Sequence, residues 1–190
     1  MFLTSIISLV LALGFAGSAP QSPRKPPPVP ETFTANAHVA GAAGASAATL
    51  TIQVDRYVTD HDRDAIRSAL KTGGYSGFLT ALRAAPALGQ VKFGNQTFTV
   101  RWATQEALKN GRRIVVITDK PVYFAGGGAA NAKPRDGYEV ALIRFEVDSV
   151  GLGSGEMAAA ARVKPGGESG VIIDDYSDAP IKLTTVTKAM

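Results

Sequence analysis

The sequence predicts an α+β protein, mostly β. The expected architecture is a curved antiparallel sheet or partial barrel, with a short helical hairpin inserted after the second strand. Three observations carry this. Apolar and polar residues alternate with period two from Leu50 and again along most of the chain after Val91. One stretch, Asp60 to about Leu82, places its apolar residues at helical spacing instead. The links between the later strand-like runs are short, which makes neighbouring strands antiparallel.

The elements follow in order. FTANAHVA, Phe33 to Ala40, alternates loosely and reads as a first strand, and GAAGASAA reads as a flexible turn. In LTIQVDRYV, Leu50, Ile52 and Val54 face one way and Thr51, Gln53 and Asp55 the other. Ala65, Ile66, Ala69 and Leu70 form a helical stripe that Gly73-Gly74 stops. A second short helix from about Ser76 carries Phe78, Leu79 and Leu82 and ends at Pro86. These stripes need a sheet face to cover. Gly94-Asn95 marks a tight turn after Val91–Phe93. TFTVRWA puts Phe98, Val100 and Trp102 on one face and Thr99 and Arg101 on the other. RRIVVITD is apolar on both faces, as a central strand is. In YEVALIRFEVD, Ile143, Phe145 and Val147 point inward and Arg144, Glu146 and Asp148 outward. GLGSG turns the chain. EMAAAARV, Glu156 to Val163, is a helix by propensity and a strand by position, and is assigned as strand. GVIIDDY and PIKLTTVTK complete the sheet.

This order of motifs resembles a family of uncharacterised secreted bacterial proteins. The resemblance is carried by DRYVTDHDRDAIRSALKTGG, the short helix ending at Pro86, VRWA, GRRIVVITDKP and the closing DYSDAPIKLTTV, and spans about residues 33–187. It implies a signal peptide and a β-rich body. It implies no activity, cofactor or site residue.

The N-terminus, MFLTSIISLVLALGFAGSAP, has an apolar core from Ile6 to Phe15 followed by small residues, and residues 1–19 are assigned as a signal peptide. Cleavage after Ser18 leaves Ala16 at the −3 position. The alternative, an uncleaved anchor from Met1 to Gly17, is shorter than the span of about 20 residues a bilayer requires. The expected location is secreted or periplasmic, with no membrane span after cleavage. Residues 20–31 hold six prolines and read as a linker, which leaves residues 32–190 as one domain. The chain has 190 residues, 45% hydrophobic and 19% charged, enough for one real core. It has no cysteine, so disulfides, thiol catalysis and cysteine-bound zinc are excluded. Net charge is +4, with basic residues scattered, and this is not the concentrated basic face of a nucleic-acid binder.

Candidate sites were weighed against folding roles. Asp60, Asp62 and Asp64 match positions 1, 3 and 5 of an EF-hand loop, but the required glycine and terminal glutamate are Ala65 and Lys71. The same residues suit a helix start, with Thr59 as cap and acidic side chains opposing the helix dipole. His38 and His61, the only histidines, lack metal-site spacing. Alternation puts Asp174 and Asp175 on opposite faces of their strand, and Ser177-Asp178 before Pro180 reads as a turn; the alternative for Asp174, Asp175 and Asp178 is a weak calcium site. No G-x-S-x-G elbow or phosphate loop is present. Catalytic, metal and cofactor assignments are therefore none. The long link from Lys120 to Gly137 is the most suggestive region, because long links are often functional. The expected ligand- or partner-binding residues are Trp102, Tyr123, Phe124, Lys133 and Arg135. The expected function is an exported non-enzymatic binding domain for an unknown protein or small ligand. The alternatives are a metal-assisted or hydrolytic enzyme using Asp60, His61 and Asp62, and an envelope structural protein.

Overall fold

The computed structural model describes residues 30–41, 44–122, 136–176 and 179–189. Within them lie β1 (Glu31–Gly41), β2 (Gly44–Val54), α1 (Asp60–Ala84), β3 (Gly89–Phe93), β4 (Gln96–Leu108) and β5 (Gly111–Thr118). These are followed by β6 (Val140–Asp148), β7 (Leu152–Pro165), β8 (Val171–Tyr176) and β9 (Ile181–Lys188). Antiparallel ladders join β1 through β7 in sequence. β7 then pairs β9, and β9 returns to β1. The mostly-β α+β class holds, and the sheet is a closed eight-strand barrel, not a partial one. Closure leaves no edge in the wall, which removes the aggregation hazard of an open sheet. It rests on β7, which pairs β6 along one side and β9 along the other. Glu156–Val163 is part of this strand.

The first hairpin is longer than its alanine-rich sequence suggests. Backbone pairing continues through Ala37↔Ala48 and His38↔Ala47, because ladder hydrogen bonds need no side chain. The two expected helices are the two limbs of α1, which meet at Gly74, whose backbone is not helical (φ 59°, ψ −154°) and is a conformation open to glycine alone. Gly77 follows for a steric reason: a Cβ there would sit 2.6 Å from the Ala69 carbonyl oxygen, so the two limbs could not close on each other. Thr59 caps the N-terminus, its hydroxyl accepting from the Asp62 amide at 3.1 Å. The helix stops at Ala84, just before Pro86. No helix among the described residues is long and apolar enough to cross a membrane.

The helix lies on the outside of the barrel. Ile66, Leu70, Phe78, Leu79 and Leu82 pack against outward-facing Trp102, Ile117, Val140 and Leu142, and Val163 of β7 joins the same cluster. The inside is filled by a second set, including Phe33, Leu50, Ile52, Ile114, Ile143, Phe145 and Met157. Phe33 on β1 meets the Phe145 ring edge-on across the interior, centroids 4.9 Å apart. Trp102 corrects the simple alternation. A bulge between Val100 and Trp102 shifts the register, so Phe98 and Val100 point inward while Trp102 points out under the helix.

One mouth of the barrel is closed by charge. The Glu31 side chain, wholly shielded from solvent, accepts from Arg112 Nη1 and Nη2 at 2.7 Å each and from the Tyr57 hydroxyl at 2.7 Å. Lys188 Nζ lies 2.8 Å away. Arg112 also donates to Gln105 and stacks over the Phe33 ring at 5.6 Å. Burial alone would raise the Glu31 carboxyl. The hydrogen bonds from Arg112, Lys188 and Tyr57 outweigh burial and hold it at about 2, below its ordinary 4.5.

Two predictions follow from this geometry. The Glu31 carboxyl ionises at lower pH folded than unfolded, so its contribution is complete above about pH 4.5 and is lost as pH falls toward 2. That contribution is roughly 3 kcal/mol. Denaturant titrations should show Glu31→Gln destabilised by about this amount at pH 7, with the gap to the parent closing in that acid window; a constant gap would refute the account. Thr185 is the second case. It has φ 51° at a bulge in β9, where Leu183 and Val186 flank one extra residue. A β-branched residue is strained there by about 1–3 kcal/mol, while glycine adds about 0.5–1 kcal/mol of unfolded-state entropy. Thr185→Gly should therefore stabilise by about 1 kcal/mol, raising the melting temperature by roughly 2–4 °C.

Candidate functional site

Among the expected binding residues, Trp102 is fully buried in the seam between α1 and the barrel wall, with no acceptor for its indole N–H among the described residues. It supports the wall and does not reach solvent. Tyr123, Phe124, Lys133 and Arg135 lie outside the described residues. Asp60 and His61 are exposed at the helix start, where Asp60 pairs with Arg63 at 2.8 Å. Asp62 takes a hydrogen bond from the Thr59 hydroxyl at 2.9 Å. Among the described residues, no three acidic or histidine side chains gather to hold a metal ion. Asp174 faces Lys164 at 3.1 Å, while Asp175 accepts from Tyr138. His38 bonds Thr184 at 2.8 Å.

The open site lies elsewhere, under an arm. β7 stays in the wall until Ala161, opposite Val140 and beyond a register break, and from Arg162 to Pro165 it pairs with β8 alone. The resulting hairpin packs on the first limb of α1 through Val163 and Val171. Tyr75, at the elbow of α1, fixes the base of this arm. Its hydroxyl donates to the Ala161 carbonyl at 3.0 Å and accepts from the Glu139 amide at 2.7 Å. Burial pushes this phenol up to about 12, so it stays neutral and keeps donating.

Between arm and wall runs a groove of about 360 Å³, continuous with a second hollow of about 320 Å³ through Glu106, Arg113, Val115, Glu168 and Ser169. Its floor is apolar, formed by Val115 and Leu142 of the wall and Ile173 of the arm. On the rim stand Ile172, 37% exposed, and Tyr176, 43% exposed. The wall is charged. Arg113 lies directly across the ladders from both Glu106 and Glu146 and bonds them at 3.0 and 2.7 Å. Arg144 pairs in the same way with Glu156, its cross-strand neighbour. The Arg113 guanidinium is held charged chiefly by its bonds to Glu146. Exposed pairs of this kind add only about 0–1 kcal/mol each to stability, so they say more about the surface than about the fold.

The Glu31 cluster is the other group with strongly perturbed ionisation. Burial and the neighbouring Glu31 carboxylate push the Tyr57 phenol up. The carboxylate is sealed from solvent and takes four donors, so the cluster acts as a closure. Sequence reasoning did not find the groove. Its wall residues, Glu106, Arg113, Arg144 and Glu156, looked like ordinary outward positions of separate strands. The visible signal was the pairing of opposite charges at matching register. Comparison of the chain with protein-family models, curated proteins and solved structures returns no match.

Trp102 is the only tryptophan. Its emission should be blue-shifted and resistant to acrylamide quenching in the native protein, becoming red-shifted and quenchable on unfolding. Quenching in the native state at the rate of a free indole would contradict its burial.

Proposed function

We propose that the protein is an exported, non-catalytic binding domain whose ligand occupies the groove beneath the β7–β8 arm. The observation that carries this reading is the groove: an apolar floor at the foot of a charged wall, within the size range of about 300–1,000 Å³ typical of small-molecule sites. The barrel interior is taken up by Phe33, Phe145 and their aliphatic neighbours, which turns the search for a ligand to the outside. Export is inferred from the apolar segment Ile6–Phe15 and the small residues after it. The reading takes the barrel to be water-borne. Its outward positions carry cross-strand ion pairs and its inward positions are apolar, the reverse of a lipid-facing barrel.

Val115 points into both hollows, so Val115→Phe should fill the groove without disturbing the interior. In a fragment screen read by ligand-observed NMR, hits on the parent protein should weaken at least tenfold against this variant, while its melting temperature stays within a few degrees. If the hits bind both proteins equally, the ligand site is not this groove.

A further inference from the structure

The groove holds more carboxylate than it neutralises. Three glutamates border it, Glu106, Glu156 and Glu168, and three arginines, Arg63, Arg113 and Arg144. Each guanidinium is engaged. Arg113 is shared between Glu106 and Glu146, Arg144 is bound to Glu156, and Arg63 turns back to Asp60. Glu168 differs. It stands at the tip of the arm, exposed, and has no cationic partner among the described residues. An anion entering the groove would have to displace a carboxylate from an arginine already paired in register. A cation meets in Glu168 a carboxylate that no ion pair occupies, with Glu106 lining the same hollow and the Arg63 and Arg113 guanidiniums there already paired with carboxylates. The floor below, Val115 and Leu142, offers apolar surface and no group to hydrate a charge.

We propose that the groove selects an organic cation: an ammonium or guanidinium group on an apolar body, with the charge at Glu168 and the body on Val115 and Leu142. The selection follows from the difference between the two charge types at one site. Attraction to Glu168 favours the cation, and the occupied guanidiniums exclude the anion. The same chemistry is presented by a free amine and by a lysine or arginine side chain of a peptide flanked by apolar residues. This inference rests on the groove being the ligand site.

The test is a titration of isotope-labelled protein at low salt with four probes: hexylammonium, hexanol, hexanoate, and a capped Leu-Lys-Leu peptide. Hexylammonium or the peptide should shift the backbone amides of Val115, Leu142, Glu168 and Ser169, and hexanoate should not. A response to the amine identifies a free small molecule as sufficient. A response to the peptide alone identifies a side chain in an extended segment as the source. Glu168→Gln, at an exposed tip, should fold normally and weaken the cation about tenfold while leaving hexanol unchanged. If hexanoate binds as well as hexylammonium, or if Glu168→Gln leaves the cation's affinity unchanged, the selectivity is overturned and the groove survives as a site. If none of the four probes moves these amides, both readings fall.

Discussion

The Glu31 carboxylate is the fixed point of this barrel. It opens β1, and its partners come from three other places: Tyr57 after β2, Arg112 at the start of β5, and Lys188 at the end of β9. In the closed wall, β1 and β5 stand four strands apart, so the Glu31–Arg112 pair reaches across the mouth. A buried carboxylate costs several kcal/mol to desolvate, and only near-complete hydrogen bonding offsets that. Four donors within 2.8 Å supply it. Directly inside lies an aromatic layer. Arg112 covers Phe33, and Phe33 meets Phe145 on β6. Ions, then rings, then aliphatic side chains fill this end in order, and β1 is held against β5 and β9 by polar contacts as well as by its ladders.

A filled interior moves the interesting surface outward, and the outer wall is divided. Along β5 the outward residues run Ile117, Val115, Arg113, and along β6 they run Val140, Leu142, Arg144, Glu146. The change from apolar to charged is stepped: Val115 stands opposite Arg144, so β6 turns charged one cross-strand pair before β5 does. This step is the margin of the cover supplied by α1 and the β7–β8 arm. Under the cover lie Trp102, Ile117 and Val140, and beyond it lie the pairs of Arg113 and Arg144. The groove sits on this boundary. Val115 and Leu142, the last apolar residue of each row, are its floor. Its composition therefore follows from where the arm stops, and the arm's position follows from the register break in β7 and the Tyr75 anchor.

Much of the fold was legible because alternation is a local signal. Ile143, Phe145 and Val147 point inward as their spacing indicates, and Leu50, Ile52 and Val54 do the same. The doubly apolar run at β5 was legible as a strand covered on both faces, by the interior on one side and by α1 and the arm on the other. What escaped was set by irregularity or by distance in the chain. The bulge at Arg101 adds one residue and turns Trp102 to the other face, with no sequence mark to announce it. Closure depends on β9 meeting β1, a contact between opposite ends of the chain. Glu31 follows a run of prolines and has no pattern of its own. The groove was illegible for the same reason as closure: it is assembled from β4, β5, β6 and a hairpin later in the chain.

Arg112 and Arg113 show how much one register decides. They are adjacent in the sequence and, because strand side chains alternate, serve opposite sides of the wall. Arg112 turns into the mouth and binds Glu31, while Arg113 turns outward and binds Glu106 and Glu146. The β4–β5 hairpin fixes this with a two-residue turn, Lys109-Asn110, that sets Leu108 against Gly111 and Glu106 against Arg113. Gly111 is required at the turn's exit, since a Cβ there would lie 2.1 Å from the Val147 carbonyl oxygen of β6. A slip of one residue would carry Ile114 to the outer wall and remove Arg112 from Glu31, leaving a buried carboxylate with no guanidinium. The charged mouth and the charged groove therefore specify the same register from opposite sides. A sequence that satisfies either one places the other.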